Sequence, residues 1–300
     1  MTEPVSILIP AYNEAFFAEA LASALAQRYA DFEVVVCDDS PGDAIERRVR
    51  DANSRRIRYR RNPGPSSFGG NFSRCLAEAR ADLVKFLNDD DRLHPDCLAT
   101  LAGIMAPNRA VTLATSRRDL IDGAGLAQPA SASTAPLSQV SAMMLGRELG
   151  DFVLVNSMNL VGEPTTVMFR KSAVSLEEGR LFRWGGAEYH CLADLSLWLR
   201  LLAQGFAYYH AGVLSEFRMH AGQEQRGEEI RLGCMEEWLA IIRQARTAGF
   251  LSTPALWRQA LESLRARVLY GGPLERYEPA ARERLARVLE EARAELDAYN

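Results

Sequence analysis

The sequence lacks long apolar runs, an excess of basic residues and internal repeats, and each absence excludes a class of protein. No apolar run approaches the roughly 20 residues that a membrane-spanning helix needs, and no N-terminal signal pattern is present. The formal net charge is −4, whereas nucleic-acid-binding domains usually carry a strong basic excess. We therefore expect a cytoplasmic protein, at most peripheral at the inner membrane, that has no nucleic-acid partner.

The sequence also has few lysines, and its cysteines show no paired spacing. The five cysteines are odd in number and scattered without paired spacing, which predicts reduced thiols near the core and neither a disulfide framework nor a zinc site. They are Cys37, Cys75, Cys97, Cys191 and Cys234. Only Lys85 and Lys171 are lysines among the 35 basic residues, which indicates a GC-rich coding sequence more than a function.

What the chain does have is 48% hydrophobic content over 300 residues, enough for a sizeable core. Over the first hundred residues, short apolar runs alternate with helical periodicity, which predicts an α/β fold with a mixed, mostly parallel sheet flanked by helices. We predict a domain at 1–226, with halves of about 1–115 and 116–226, and an all-helical, separable C-terminal extension at 227–300. The predicted strands are 5–9, 33–37, 57–59, 83–87, 110–115, 165–169, 206–209 and 213–217. The predicted helices are 16–27, 44–52, 72–79, 95–105, 194–203, 228–247, 254–270 and 279–299.

Three adjacent carboxylates, Asp89, Asp90 and Asp91, follow Asn88 directly after the predicted strand at 83–87. Their mutual repulsion and desolvation need a compensating positive charge, and a divalent cation held by oxygen ligands can supply it. Because Mg²⁺ is usually bound by one or two carboxylates plus substrate phosphates, the run indicates a metal-assisted enzyme with a phosphorylated substrate. The alternative is a solvated acidic turn.

A second acidic pair, Asp38 and Asp39, follows the predicted strand at 33–37. Ligands of parallel sheets bind at the carboxyl ends of the strands. Since both acidic groups fall at such ends, the pattern favours a binding site over a solvated turn.

Five motifs in order resemble the family 2 glycosyltransferases, inverting enzymes of the GT-A fold that use nucleotide sugars. They are VSILIPAYNE (5–14), VVVCDDSPGD (34–43), FLNDDDRLHPDCL (86–98), LADLSLWLRLLAQG (192–205) and FRMHAGQEQ (217–225). The resemblance implies a nucleotide-binding GT-A-like catalytic domain over residues 1–226. It also implies transfer of a hexosyl or related sugar with the help of Mg²⁺ or Mn²⁺.

The resemblance places the donor site on the first three motifs. The loop after the first strand offers backbone groups and the Tyr12 ring to a nucleobase, and Asn13 and Glu14 can cap the next helix. In the family, the second acid of the Asp-Asp pair accepts a hydrogen bond from the base, which assigns this role to Asp39, with Asp38 in support. The implied nucleotide-sugar-binding residues are Pro10, Tyr12, Glu14, Asp39, Asn88 and Asp89.

The resemblance also implies a metal site at the acidic run. The implied ligands are Asp90, Asp91 and His220. Asp90 is the first choice, with Asp89 or Asp91 as the open alternatives. The closing segment at 217–225 would contribute His220, and its Arg218 could pair with a phosphate.

Inversion requires a carboxylate that deprotonates the acceptor hydroxyl on the face opposite the leaving group. The fourth motif assigns this role to Asp194, with Glu188 as the fallback. Ala193 stands where the family commonly has a glutamate. The alternative for Asp194 is an ordinary acidic residue at a helix N-terminus.

The resemblance leaves several partners open. UDP and dTDP sugars are the expected donors, and a glycan or glycolipid of bacterial surface-polysaccharide synthesis is the expected acceptor. The C-terminal helices would contact the domain, a second subunit or another partner. A sugar nucleotidylyltransferase would need a glycine-rich basic loop after the first strand, which PAYNEAFF (10–17) does not provide. A degenerate, non-catalytic nucleotide-sugar-binding or scaffold protein is the other alternative, and the presence of Asp90 and Asp194 argues against it.

Overall fold

The computed structural model of the protein describes residues 2–64, 66–131, 134–220, 228–270 and 274–298. Its strands are β1 (Val5–Ala11), β2 (Phe32–Asp38), β3 (Ile57–Arg61), β4 (Leu83–Phe86), β5 (Arg92–Leu93), β6 (Val111–Asp122), β7 (Ala127–Gln128), β8 (Ala142–Leu145), β9 (Met168–Arg170), β10 (Arg183–Trp184), β11 (Ala187–Glu188) and β12 (Phe206–Met219). Its α-helices are α1 (Glu14–Leu25), α2 (Ala44–Ala52), α3 (Phe68–Glu78), α4 (Cys97–Met105), α5 (Gly146–Val155), α6 (Ala193–Leu202), α7 (Glu228–Thr247), α8 (Pro254–Tyr270) and α9 (Pro279–Asp297). The predicted α/β class is confirmed.

The order of the strands predicts a ligand-binding crevice at the carboxyl ends of β1 and β4. The main sheet follows the path β3-β2-β1-β4-β9-β6-β12-β5. The chain winds outward from β1 through β2 to β3 and then crosses to β4 on the other side of β1. Where the winding reverses in this way, open α/β sheets bind their ligands. Both acidic groups of the sequence leave the sheet at this edge.

The second half of the sheet is mixed. Strand β9 is antiparallel to both β4 and β6, whereas the long strand β12 is parallel to β6. Strand β12 also pairs antiparallel with β5, with Ser215 opposite Leu93. Because β5 directly follows the acidic run, this pairing brings the end of β12 beside Asp90 and Asp91.

The central strands are buried on both faces. Every residue of β1 is buried, with Leu8 in one apolar cluster and Ile7 and Ile9 in the other. This alternation follows from the strand geometry, in which successive side chains point to opposite faces. Burial of each such aliphatic side chain contributes about 1.5–3 kcal/mol, so the loops of the crevice start from firmly held strand ends.

The C-terminal helices share their apolar core with the rest of the chain. One buried cluster contains Trp198 of α6, Trp238 of α7 and Leu264 of α8. The predicted boundary at residue 226 lies outside the described residues. Deletion of residues 227–300 is expected to uncover this cluster and destabilise the sheet domain, in contrast to the separable extension inferred from sequence.

None of the described helices is both long and apolar enough to cross a membrane.

The expectation that all five cysteines are reduced is wrong for one pair. Cys191 and Cys234 form a disulfide between the turn before α6 and helix α7, with Cα atoms 5.3 Å apart. Beside it, the Glu237 carboxylate accepts hydrogen bonds from the backbone N–H groups of His190 and Leu192, at 2.9 and 2.8 Å. The two cysteines are 43 residues apart, so only the packing of α7 on this turn brings them together. The other three cysteines are buried free thiols.

We expect Trp238→Ala to lower the free energy of unfolding of the whole chain by about 3–5 kcal/mol, because the indole is buried in the shared cluster. Thermal unfolding should show one transition that moves as a whole. Tyr270→Ala is the control, since this side chain is 94% exposed and its loss should change stability by less than about 0.5 kcal/mol. A sheet-domain transition that did not respond to Trp238→Ala would show that the C-terminal helices fold separately.

Candidate active site

Two backbone hydrogen bonds tie the loop after β1 to the acidic run. The N–H groups of Tyr12 and Asn13 both donate to Asp89 Oδ2 at 2.7 Å. Asn13 also caps α1, because its Oδ1 accepts the N–H of Ala15 at 3.0 Å. Burial raises the pKa of Asp89 to about 6, although the two N–H groups oppose this effect. The loops that follow β1 and β4 are therefore held together, and the Tyr12 ring is largely exposed.

Asp38, the first of the two aspartates after β2, has a structural environment. Its carboxylate is fully buried and accepts hydrogen bonds from the Tyr59 hydroxyl at 2.7 Å, the Arg61 guanidinium at 2.8 Å and the Ser40 N–H at 2.8 Å. Burial and the hydrogen bond to Asp38 raise the pKa of Tyr59 to about 12. Asp38 therefore fixes the loop after β2.

Asp39 is partly exposed and lies closer to the crevice. Its backbone N–H donates to the Ala11 carbonyl at 2.9 Å, which places it beside the end of β1. Its carboxylate accepts hydrogen bonds from the Asn62 amide and from the backbone N–H, at 3.1 Å, and hydroxyl of Ser66. Asn62 is held in turn by Asn71, at 2.9 Å. Asp39 is thus oriented by its neighbours and can still reach a ligand.

Asp91 is completely buried at the end of the acidic run. Its Oδ2 accepts hydrogen bonds from the Thr165 hydroxyl at 2.5 Å and the Asn88 amide at 3.2 Å, and its Oδ1 accepts the Arg218 N–H at 2.9 Å. Burial, with the nearby charge of Asp90, raises its pKa well above the usual range. Because both oxygens have protein partners, we interpret Asp91 as the residue that fixes the turn and not as a metal ligand.

The Arg218 side chain is fully buried and holds the same turn from the other side. Its Nε donates to the Asp90 carbonyl at 2.6 Å, its Nη1 to the Asp122 carbonyl at 3.1 Å and its Nη2 to the Glu19 carboxylate at 2.7 Å. The guanidinium also lies 4.4 Å from the centre of the Phe16 ring. The sequence-based prediction that Arg218 pairs with a phosphate does not fit this environment, since all three nitrogens bind protein groups.

Asp90 and His220 meet at the surface of the turn. Asp90 Oδ2 lies 3.2 Å from His220 Nε2, and both side chains are partly exposed. Within the described ranges, no three His, Cys, Asp or Glu side chains converge as a complete protein metal site. One carboxylate and one imidazole nevertheless fit a divalent cation that takes its other ligands from substrate phosphates. The charge of Asp90 adds to burial in raising the pKa values of its neighbours Asp89 and Asp91.

Asp194 lies in the first turn of α6 and is partly exposed. Its Oδ1 accepts the Leu195 N–H at 2.7 Å and its Oδ2 accepts the Asn159 amide at 2.9 Å. Its pKa is raised to about 7, mainly by burial and also by the charge of Glu163, and the Leu195 N–H and Arg118 oppose this shift. A carboxylate that is about half ionised near neutral pH is well matched to proton abstraction.

One segment before β9 connects Asp194 with the acidic turn. At its start Asn159 contacts Asp194, and at its end the Thr165 hydroxyl contacts Asp91. Lys85, fully buried in β4, holds the segment through a hydrogen bond from its Nζ to the Thr165 carbonyl. Burial lowers the pKa of this lysine. Sequence reasoning missed the role of Lys85, although a single lysine within an apolar strand was its signal.

The remaining predicted residues differ in how close they come to this arrangement. Pro10 is buried at the end of β1, and Glu14 is exposed in the first turn of α1. Asn88 Oδ1 is buried and has no hydrogen-bond partner among the described residues, so it retains an unused acceptor. Glu188, the fallback base, is paired with Arg180 at 2.7 Å.

A family comparison agrees with this geometry. The sequence model described as Glycosyl transferase family 2 matches residues 6–174, more than half of the chain. The chain belongs to glycosyl transferase family 2. This confirms the family resemblance inferred from sequence, and the match covers the region of the first three motifs. The last motif, at 217–225, lies partly outside the described residues, which resume at 228.

Relatives of this glycosyltransferase include characterised and uncharacterised proteins. The uncharacterized protein MT1568 of Mycobacterium tuberculosis (strain CDC 1551 / Oshkosh) is 29% identical over 223 residues, which are 73% of this chain and 68% of that protein. WfgD of Escherichia coli, a UDP-Glc:alpha-D-GlcNAc-diphosphoundecaprenol beta-1,3-glucosyltransferase, is 33% identical over 88 residues, which are 29% of this chain and 35% of WfgD. The match therefore spans only about a third of WfgD.

Solved structures of Staphylococcus aureus TarS share the fold. The structure of TarS 1–349 has a TM-score of 0.68 and 14% identity, and the match covers 96% of this chain and 80% of that one. The same protein in complex with UDP has a TM-score of 0.64 and 15% identity, with 99% and 88% covered. This likeness confirms the predicted GT-A-type fold, including the C-terminal helices.

Proposed function

We propose that this glycosyltransferase moves a sugar from a nucleoside-diphosphate sugar to an acceptor hydroxyl, with inversion at the anomeric carbon. The observation that carries the proposal is the segment at 159–165, which contacts both the Asp194 carboxylate and the acidic turn. One element would thus hold the proposed proton acceptor and the proposed diphosphate site in a fixed relation, which favours a single-displacement transfer.

Asp194 is the general base of the proposed reaction. Its carboxylate takes the proton of the acceptor hydroxyl while the oxygen attacks the anomeric carbon. The bond from that carbon to the diphosphate oxygen breaks on the opposite face, so the configuration inverts. The pKa of about 7 supports this role, because the carboxylate is both substantially ionised and a useful proton acceptor at neutral pH.

The donor site is proposed at the carboxyl ends of β1, β2 and β4. Asp39 would accept a hydrogen bond from the nucleobase, the loop at 10–14 would flank the base, and Asn88 would contact the ribose. When bound at Asp90 and His220, Mg²⁺ or Mn²⁺ supplies the positive charge that stabilises the departing nucleoside diphosphate. The UDP and UDP-GlcNAc complexes of TarS support a UDP sugar as the donor, with dTDP as the other pyrimidine option.

The acceptor is proposed to be a glycan or a glycolipid of bacterial surface-polysaccharide synthesis. The name of WfgD, which includes a diphosphoundecaprenol-linked acceptor, supports this class. A cytoplasmic location, peripheral contact with the inner membrane, and self-association through the C-terminal helices remain the expectations drawn from sequence.

We expect UDP with Mn²⁺ to raise the thermal unfolding midpoint more than UDP alone, and more than GDP or ADP with Mn²⁺. A nucleotide at 100 times its Kd stabilises a folded protein by about 2.7 kcal/mol. The measurement is thermal denaturation against UDP, dTDP, GDP and ADP, each with and without Mn²⁺.

Two variants of the loop after β2 show whether the shift reports the proposed site. In Asp39→Asn the shift should shrink, because the neutral amide oxygen accepts a base N–H more weakly than a carboxylate does, and the amide NH₂ group cannot accept the hydrogen bonds that orient Asp39 through Asn62 and Ser66. In Asp43→Asn it should persist, since Asp43 is exposed and pairs with Arg47. If no nucleotide shifts the midpoint, the non-catalytic scaffold becomes the better explanation.

A further inference from the structure

Asn159 makes the side-chain contact that determines how Asp194 is held. Its Nδ2 donates to Asp194 Oδ2 at 2.9 Å, while the other carboxylate oxygen accepts the Leu195 N–H at 2.7 Å. Ala193, the residue before Asp194, is buried and offers no polar side-chain atom. The orientation of the carboxylate therefore depends on a residue 35 positions earlier in the chain.

The orientation of the Asn159 amide group is fixed by a tight turn. Its Oδ1 accepts the Gly162 N–H at 3.3 Å, and its Nδ2 also donates to the Gly162 carbonyl at 3.2 Å. A flipped amide would place its oxygen against two acceptors, the Gly162 carbonyl and the Asp194 carboxylate. The chemistry of the neighbours thus assigns the amide nitrogen to the side of Asp194.

The turn itself is anchored from two elements. Trp198 of α6 donates its Nε1–H to the Gly162 carbonyl at 2.8 Å, and the Thr115 hydroxyl of β6 donates to the Val161 carbonyl at 2.6 Å. Gly162 has φ +114°, and a Cβ atom there would lie 2.9 Å from the Thr166 side chain. A residue with a side chain does not fit this position, so the turn presents Asn159 in one defined geometry.

The charged groups that act on Asp194 are Glu163 and Arg118. They pair with each other, with Arg118 Nε 2.8 Å from Glu163 Oε2. Their effects on Asp194 oppose one another. Asn159 is the neutral donor that contacts the carboxylate directly, and a donor favours the ionised form.

We propose that Asn159 is a positioning residue for the catalytic base, whose amide holds the Asp194 carboxylate and leaves its remaining lone pairs for the acceptor hydroxyl. This inference rests on the proposed role of Asp194. Asn159 touches no reacting atom in this assignment and acts only through Asp194.

The first test measures the free energy of unfolding of four proteins from pH 4 to pH 9. The wild type is compared with Asp194→Asn, and Asn159→Leu is compared with the variant that carries both substitutions. The usual pKa of the Asp194 carboxyl is 3.8 and its folded value is about 7. The folded state therefore holds the extra proton between these values, and the stability of the wild type relative to Asp194→Asn falls as pH rises to about 7. Without the amide donor the fall should continue to a pH about one unit higher, because loss of a hydrogen bond to a carboxylate raises its pKa by about one unit.

The controls separate positioning from folding. Thr115→Val removes the hydrogen bond from β6 that anchors the turn at Val161, and it is expected to lower the unfolding midpoint. It should not move the pH at which the stability difference between a protein and its Asp194→Asn counterpart levels off. Asn159→Asp keeps the size of the side chain and should move the levelling pH upward, since a second carboxylate disfavours ionisation of Asp194. Asn159→Asp also takes the place of Asn159→Leu in this test if the leucine variant does not fold. An unmoved levelling pH in the folded Asn159 variants would overturn the proposal.

Transfer rates test the functional part. The acid limb of kcat/KM for a UDP sugar should shift upward by about one pH unit in Asn159→Leu, with the midpoint shift caused by UDP and Mn²⁺ unchanged. An unshifted acid limb would overturn the positioning role. If Asp194→Asn retained transfer, the base assignment would fail, and the unfolding experiment would still report whether Asn159 holds the carboxylate.

Discussion

Asp194→Asn should lower the rate of sugar transfer by about 10²–10⁴-fold and leave nucleotide binding nearly unchanged. An amide has the size of the carboxylate and can keep the hydrogen bond from the Leu195 N–H, but it cannot accept the proton of the acceptor hydroxyl. The predicted donor residues lie on the loops after β1, β2 and β4, whereas Asp194 lies on α6. Initial rates with a UDP sugar and the midpoint shift caused by UDP with Mn²⁺ measure the two effects separately.

The same substitution should remove a loss of stability that the wild type undergoes as pH rises from acid to neutral. Burial raises the pKa of Asp194 from 3.8 to about 7, so the folded state binds a proton that the unfolded state has released. Between these values the free energy of unfolding of the wild type falls as pH rises. Asparagine does not ionise, and the variant should therefore gain in stability over the wild type from pH 5 to pH 8.

Asp151→Asn is a matched control for both effects. Asp151 is a half-buried aspartate of α5 whose pKa is also raised by burial and whose carboxylate accepts the Leu251 N–H at 2.7 Å. Its substitution should change the pH dependence of stability in the same direction without affecting the rate of transfer. Loss of UDP binding in Asp194→Asn would assign Asp194 a structural role, and retained transfer would exclude it as the base.

Much of the fold could be predicted because local periodicity matches the final structure. The helices predicted at 44–52, 228–247 and 254–270 have the same bounds in the structure. The strands predicted at 206–209 and 213–217 are one strand, β12, because register shifts around His210 and Val213 interrupt the alternation without ending the pairing with β6.

Helix α5 was missed because two of its glycines argue against a helix locally. Each glycine is required by a distant contact. A Cβ atom on Gly146 would lie 2.1 Å from the Leu202 carbonyl oxygen, and one on Gly150 would lie 2.2 Å from the Phe250 ring. The close packing of α5 against the end of α6 and against Phe250, which lies between α7 and α8, therefore outweighs the low helix propensity of glycine.

The candidate site shows the same division between local and distant information. The acidic run could be located from sequence, but its members could not be distinguished. Asp91 is buried by Thr165 and Arg218, which are 74 and 127 positions away, whereas Asp90 faces His220 at the surface. Asn159 carries no motif, and its role follows only from the turn that places its amide against Asp194.

The second large effect is expected from Asp90→Ala, which should remove the Mn²⁺-dependent part of UDP binding and lower transfer by more than about 10²-fold. Stabilisation of a leaving group by a metal ion is worth several kcal/mol, and Asp90 is the carboxylate of the turn that faces His220. Stability without ligands should stay equal or rise, because the substitution removes a charge that acts on Asp89 and Asp91. Thermal unfolding with UDP, with and without Mn²⁺, measures both quantities.

Asp91→Ala should show the opposite pattern and thereby distinguish the two neighbours. Its carboxylate accepts three hydrogen bonds in a fully buried position, so its loss leaves buried donors unpaired at a cost of about 1–3 kcal/mol each. Stability should therefore fall even without nucleotide or metal. Asp96→Ala is the control, because Asp96 is partly exposed and pairs with the exposed Arg28. If Asp90→Ala kept its full Mn²⁺ dependence while Asp91→Ala lost it, the metal would have to be assigned to Asp91, and the contacts that bury its carboxylate would have to rearrange when the donor binds.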